Sequence, residues 1–286
     1  MPDTSKASYY GRKVFMTVLL VSACVTLIAV CSTSYKLITV PSIGFALRRQ
    51  NLDMLGETTG ALDTSSVEPT ISTVCKGCFP HNFNYVINND AICKVYDDFQ
   101  EIDLVIFIFT THQRQRERFA IRQTWLNYTN KNKANTRYLF LLGEVPDIKL
   151  RKLVEEENKI HSDILKEDFV DTYQNLTYKT MMAFKYAITK CSHAKFVLKT
   201  DDDMWVNIPG LLKVLQRKKM TLQAAIGGAC HLVAYPIRNP ASKWYASIQS
   251  YPNESYPGFC SGTGYVTSIN VARKVFEISK HVPFSI

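Results

Sequence analysis

Three consecutive carboxylates follow a short apolar run in Ala194-Lys-Phe-Val-Leu-Lys-Thr-Asp201-Asp202-Asp203. The run is too short for a helix and reads as a buried strand. Three acids at the end of such a strand repel one another, and each raises its neighbour's pKa. Burial adds to that cost unless a cation sits among them. Hard carboxylate oxygens suit Mg²⁺ or Mn²⁺, which can also hold phosphate oxygens of a nucleotide. In an extended chain Asp201 and Asp203 point one way and Asp202 the other, so two of the three could share an ion. The alternative is a solvated acidic turn, and the surrounding sequence has to decide between them.

That surrounding sequence alternates. Residues 104–109 and 138–142 are continuous apolar runs, the pattern of strands buried on both faces. Helices are predicted over 116–125, 148–160 and 173–191, and a short strand over 168–171. The 148–160 helix places Leu153, Val154, Glu157 and Ile160 on one face. The 173–191 helix carries Tyr173, Leu176, Thr180, Phe184, Ala187 and Cys191 at helical spacing, with Asp171 or Thr172 as N-cap. Further helices are predicted over 210–216 and 270–280. Strand and helix in alternation build an α/β fold with a mostly parallel sheet flanked by helices. Ligands of such folds bind beyond the carboxyl ends of the strands, where the acids would lie.

The amino-terminal third reads differently. Residues 1–13 are polar with Lys6, Arg12 and Lys13, and 14–31 carry no charge, near the minimum for a membrane span. With the basic residues ahead of the span, residues 1–13 would be a cytosolic tail and the rest luminal. A signal peptide cleaved near Ser32-Thr33-Ser34 is the alternative. Residues 32–100 read as a stem, because 56–70 lack any hydrophobic period. Of eight cysteines, Cys24 and Cys31 fall in the span, and six remain in an oxidising compartment. Cys75-Lys-Gly-Cys78 is therefore read as disulfide-forming rather than zinc-binding. Sequons at Asn127, Asn175 and Asn253 fit a secreted or luminal location. The net charge of +9 is not gathered into a basic run of the kind that binds nucleic acid.

After the acids come loops rich in aromatic residues, with Trp244, Tyr251 and Tyr256, and then Ser261-Gly262-Thr263-Gly264-Tyr265. Aromatics are more often core than ligand platform. On Pro- and Gly-rich loops they also suit stacking on sugar rings. Glycines at 262 and 264 allow close backbone approach to a ligand.

Together these motifs resemble the β-1,3-galactosyltransferase and β-1,3-N-acetylglucosaminyltransferase family of Golgi enzymes. The matching stretches are Arg118-Phe-Ala-Ile-Arg-Gln-Thr-Trp125, Phe140-Leu-Leu-Gly143, the segment from Glu167 to Lys179, Lys199-Thr-Asp-Asp-Asp203, Lys243-Trp244 and Tyr256-Pro-Gly-Phe-Cys-Ser-Gly-Thr-Gly-Tyr265. They occur in family order between residues 101 and 286.

The resemblance implies a GT-A fold over 101–286 and a type II Golgi membrane anchor. It also implies a UDP-sugar donor, Mn²⁺ or Mg²⁺, and a glycan acceptor on protein or lipid. Asp203 would be the main metal ligand with Asp201. Asp201 and Asp202 would lie near the nucleotide, and Arg118 and Arg122 would meet the diphosphate or brace the site by ion pairing. Trp244, Tyr256, Gly262 and Gly264 would line the acceptor side. The family inverts the anomeric centre, with a carboxylate from an acidic pair after the segment matching His281-Val-Pro-Phe284 as general base. That pair would lie beyond Ile286, so a truncated member is expected and no catalytic base is assigned. UDP-galactose is the expected donor, with UDP-N-acetylglucosamine the other choice. A non-catalytic relative serving as membrane-anchored partner or chaperone of an active transferase is the competing expectation.

Overall fold

The computed structural model describes residues 36–39, 78–95 and 101–282. The expected tail at 1–13 and span at 14–31 lie outside them, as does Cys75. Among the described residues no helix is long and apolar enough to cross a membrane.

The strands are β1 (Lys36–Thr39), β2 (Tyr85–Ile87), β3 (Leu104–Phe109), β4 (Thr136–Glu144), β5 (Ile164–Val170), β6 (Phe196–Asp201), β7 (Ala225–His231) and β8 (Phe259–Ser268). The helices are α1 (Gln115–Gln123), α2 (Ile148–His161), α3 (Leu176–Lys190), α4 (Ile208–Arg217), α5 (Lys219–Leu222) and α6 (Ile269–Ile278). One sheet runs β1-β7-β8-β6-β3-β4-β5-β2. Its centre, β6-β3-β4-β5, is parallel. Both flanks pair antiparallel: β2 on β5, β8 on β6, β7 on β8 and β1 on β7. The sheet is thus mixed, and the mostly parallel expectation holds only for its centre. The reason is connectivity: β7 and β8 are joined by a loop, without the helical crossover that parallel neighbours require.

Strand periodicity sorts the core. In β3, Val105, Phe107 and Phe109 pack with Met181, Met182 and Ala183 of α3 and with Ile269 and Ala272 of α6. The alternate residues Leu104, Ile106 and Ile108 pack on the opposite face with Ile121, Val154, Ile208 and Leu215. Every residue of β3 is buried, as its uninterrupted apolar pattern requires.

Several expectations are corrected. Residues 78–95, read as stem, pack into the domain. β2 pairs with β5, Phe79 and Ile92 join the core, and Cys93 is bonded to Cys191. Lys36–Thr39 pair with β7, so part of the expected stem is a sheet edge. On α2, Leu153 and Ile160 are exposed while Val154 and Glu157 are buried, because Glu157 faces two arginines. Neither Asp171 nor Thr172 caps α3. The residues from Tyr173 to Asn175 form a 3₁₀ turn, and Asp171 accepts instead from Gly143 N and Lys179 Nζ. Gly262 and Gly264 lie within β8, where no strand was expected. Close approach occurs at Gly228, where a Cβ would fall 2.7 Å from the Gly264 carbonyl oxygen.

Candidate donor and acceptor site

The acids sit where the sheet order placed them. Asp201 is the last residue of β6, level with Phe109 at the end of β3. The Asp202 N–H donates to the Phe109 carbonyl, and Met204 N–H to the Asp201 carbonyl, closing a turn. Strand alternation therefore stops at Asp201, and each acid meets its own surroundings. Asp201 accepts from the Lys199 ammonium. Asp202 accepts from Arg114 Nε at 2.8 Å. Asp203 is exposed. Burial raises the Asp201 carboxyl above its ordinary value; Lys199 opposes this, and the charges of Asp203 and Asp202 add to it.

Two buried lysines, Lys179 and Lys199, serve this end of the sheet. Lys179 on α3 donates to the Thr110 carbonyl and to both oxygens of Asp171, at 2.8 to 3.0 Å. Burial lowers its pKa, while Asp171, Asp202 and Asp201 pull the other way. Lys199 spans from Asp201 to the Gly262 carbonyl and lies 4.5 Å from the centre of the Phe109 ring. Neither lysine, nor Arg114, stands out in the sequence as a site residue. The available signal was proximity: Lys199 is two residues before Asp201 on the same strand face.

Arg118 and Arg122 occupy a different place. Arg118 is wholly buried and grips Glu157 with two bonds of 2.9 and 2.6 Å, and its remaining amino group meets Thr110 and Thr111. Arg122 takes Asp163 at 2.8 Å through two nitrogens, and Glu157 at 2.7 Å through the third. Burial pushes the Glu157 carboxyl up, but the two guanidiniums outweigh this and hold it below its ordinary range. Both arginines are committed to bracing α1 against α2, and neither presents its donors to a diphosphate.

His112 lies just past β3, 3% exposed, with neither ring nitrogen hydrogen-bonded among the described residues. Burial depresses its pKa to about 4, with Asp171, Lys166, Glu144 and Arg118 as the surrounding charges. The unfolded chain titrates this ring near the ordinary 6.5, so it binds more protons than the folded protein between pH 6.5 and 4. Stability is therefore full above pH 6.5 and falls as the pH drops towards 4. A shift of this size corresponds to about 3 kcal/mol. Urea unfolding of wild type and His112→Phe at pH 7 and pH 4.5 should show a shallower pH dependence in the variant. Equal slopes would contradict the assignment.

The 232–258 loop and the start of β8 form an open cavity of about 640 Å³. Trp244, Tyr245, Tyr251, Tyr256, Phe259, Ser261 and Gly262 contribute to its wall. Tyr251 and Tyr256 lie 4.5 Å apart by ring centres, and Trp244 remains 59% exposed. Arg238 donates to the carbonyls of Ala246, Tyr251 and Asn253, and the Cys230–Cys260 disulfide closes the loop's base. The structure thus gathers Trp244, Tyr256 and Gly262 around one cavity. Gly264 lies deeper, beside Lys199 O and Thr200 Oγ1. A Cβ at Gly262 would meet nothing within 4 Å, so no steric need in the protein itself explains that glycine. Of the sequon residues, Asn127 and Asn253 are exposed. Asn175 is half-buried, and its amide donates to the Val170 carbonyl.

Among the described residues no group of three or more His, Cys, Asp or Glu side chains is arranged to hold a metal ion. The donor set still fits a hard cation. Asp201 and Asp203 offer carboxylate oxygens, and the mutual repulsion of the acids is what a divalent ion would relieve. Two protein carboxylates completed by phosphate oxygens and water suit Mg²⁺ or Mn²⁺.

The galactosyltransferase family model matches residues 115–285. Beta-1,3-galactosyltransferase 1 of Homo sapiens and of Mus musculus are each 41% identical over 209 residues, covering 71% of this chain and 61% of theirs. Beta-1,3-galactosyltransferase 5 of Homo sapiens is 40% identical over 201 residues, covering 70% of this chain and 63% of its own. The chain spans about three fifths of the length of these curated relatives. With its acids at the carboxyl end of β6, tied through Lys199 to an aromatic cavity, this chain belongs to the galactosyltransferase family.

Proposed function

We propose that this chain carries the donor site and part of the acceptor site of a Golgi transferase. The enzyme would move galactose from UDP-galactose to a sugar hydroxyl of a glycoprotein or glycolipid, inverting the anomeric centre to give a β-1,3 linkage. The domain would have the GT-A arrangement, held to the membrane by residues 14–31. One observation carries the reading: a single side chain bridges the acids and a residue of the aromatic cavity. Lys199 bonds Asp201 on one side and the carbonyl of Gly262, a cavity residue, on the other.

In this reading Asp203 and Asp201 hold Mn²⁺ or Mg²⁺, which when bound stabilises charge on a leaving diphosphate. Asp202, fixed by Arg114, sets the turn that aims Asp203 outward. Arg118 and Arg122 keep the β3 end rigid through Glu157 and Asp163. Trp244 and Tyr256 offer ring faces to an acceptor sugar, an arrangement suited to pyranose stacking. The relatives, beta-1,3-galactosyltransferases by name, support galactose as the transferred sugar.

The test, made on the full-length protein that contains these residues, is release of UDP from UDP-galactose, UDP-N-acetylglucosamine and UDP-N-acetylgalactosamine, with a β-linked N-acetylglucosaminide acceptor and Mn²⁺. Acceptor-dependent release with UDP-galactose, reduced at least about 100-fold in Asp203→Ala, is the expected result. Preference for another donor would correct the sugar. Transfer unaffected by Asp203→Ala would sink the site.

A further inference from the structure

We infer that Lys199 is a positioning residue that couples the acidic end of β6 to the edge of the aromatic cavity. This rests on the donor-site reading above. Lys199 is 5% exposed, and a buried ammonium is costly unless it is paired. Its partners are the Asp201 carboxylate, the Gly262 carbonyl and the face of Phe109. The first belongs to the acids and the second to the cavity.

The ladder explains why the second contact matters. β8 pairs with β6 only as far as Thr200 opposite Gly264. Its other edge pairs with β7 from Thr267, and beyond that point only the β7 pairing resumes, at Cys260 and Phe259. On the β6 side Gly262 and Thr263 are therefore held by two side chains, Lys199 at the Gly262 carbonyl and Thr200 Oγ1 at the Thr263 carbonyl, the latter at 3.2 Å. The backbone at the cavity edge is thus fastened to the same ammonium that occupies an oxygen of Asp201. A cation arriving at Asp201 competes with that ammonium for the oxygen and repels it. Occupancy of the acids and the order of residues 259–264 become linked.

The linkage separates a positioning role from a merely structural one, because removing the ammonium should change the two halves in opposite senses. Two variants serve. Lys199→Met keeps the apolar stem and loses both bonds. Lys199→Gln loses the charge but keeps a donor for the Gly262 carbonyl. Mn²⁺ affinity would be measured by calorimetry, and amide hydrogen exchange followed over 259–264. Both variants should bind Mn²⁺ about three- to tenfold more tightly than wild type, since a neighbouring like charge has gone. Exchange over 259–264 should quicken about tenfold in the Met variant and stay near wild type in the Gln variant. In wild type, Mn²⁺ with UDP should alter exchange in that segment, and in Asp203→Ala it should not. Weaker or unchanged Mn²⁺ binding in Lys199→Gln would overturn the proposal. So would exchange over 259–264 in wild type that ignores Mn²⁺ and UDP. These two results decide it even where the Met variant fails to fold. A wild-type chain that binds neither Mn²⁺ nor UDP would instead remove the donor-site reading, and the coupling with it.

Discussion

Replacing Glu157 with alanine should cost about 3–5 kcal/mol of folding stability. The carboxylate is 2% exposed at its side chain and serves two guanidiniums that are 0% and 6% exposed. Without it Arg122 keeps Asp163, but Arg118 keeps only Thr110 and Thr111, and a full positive charge is left buried against neutral oxygens. The cost is that of the orphaned charge rather than the worth of the pair. A domain stabilised by about 5–15 kcal/mol would lose much of its margin. Urea unfolding measures this. The neighbouring Glu156 is exposed and provides the control, with Glu156→Ala expected within about 0.5 kcal/mol of wild type. Similar midpoints for the two variants would mean that the brace does not hold α1 against α2.

The Cys93–Cys191 disulfide is the second large term. It joins the segment after β2 to the end of α3 across 98 residues. Closing a loop of that length removes unfolded-chain entropy worth about 4–5 kcal/mol on the polymer estimate. Both sulfurs are buried, and Ile92 and Phe79 pack on the same core. The double variant Cys93→Ala/Cys191→Ala should therefore melt well below wild type, losing about 2–5 kcal/mol. Removing Cys230–Cys260, which closes only 30 residues, should cost less and act on the cavity loop. An unchanged melting temperature for the first variant would show that residues 78–95 contribute little to the fold.

The central strands were legible because burial on both faces leaves an unbroken apolar run. Residues 104–109 are β3 as expected, and the runs at 138–142 and 196–198 lie within β4 and β6. β7 and β8 were missed, since Gly227, Gly228, Gly262 and Gly264 interrupt any apolar pattern. Gly228 is there because the β8 backbone approaches it too closely for a side chain, and no periodicity reports that. The carboxyl-end position of the acids followed from strand–helix alternation alone. Their partners did not. Lys179 and Arg114 are brought to Asp201 and Asp202 from 22 and 88 positions away, and Gly262 to Lys199 from 63, separations that only the folded sheet closes. Arg118 and Arg122 illustrate the converse. The family motif singled them out, but whether they met a diphosphate or braced the fold depended on Glu157 and Asp163.

The most direct test of the donor site is calorimetric titration of UDP into the wild-type chain and Asp203→Ala, each with Mn²⁺ and with chelator. Binding that needs Mn²⁺ and disappears in Asp203→Ala is the predicted result. Equal UDP binding with and without Mn²⁺, or in both proteins, would contradict the assignment of the acids at the end of β6 as the donor site.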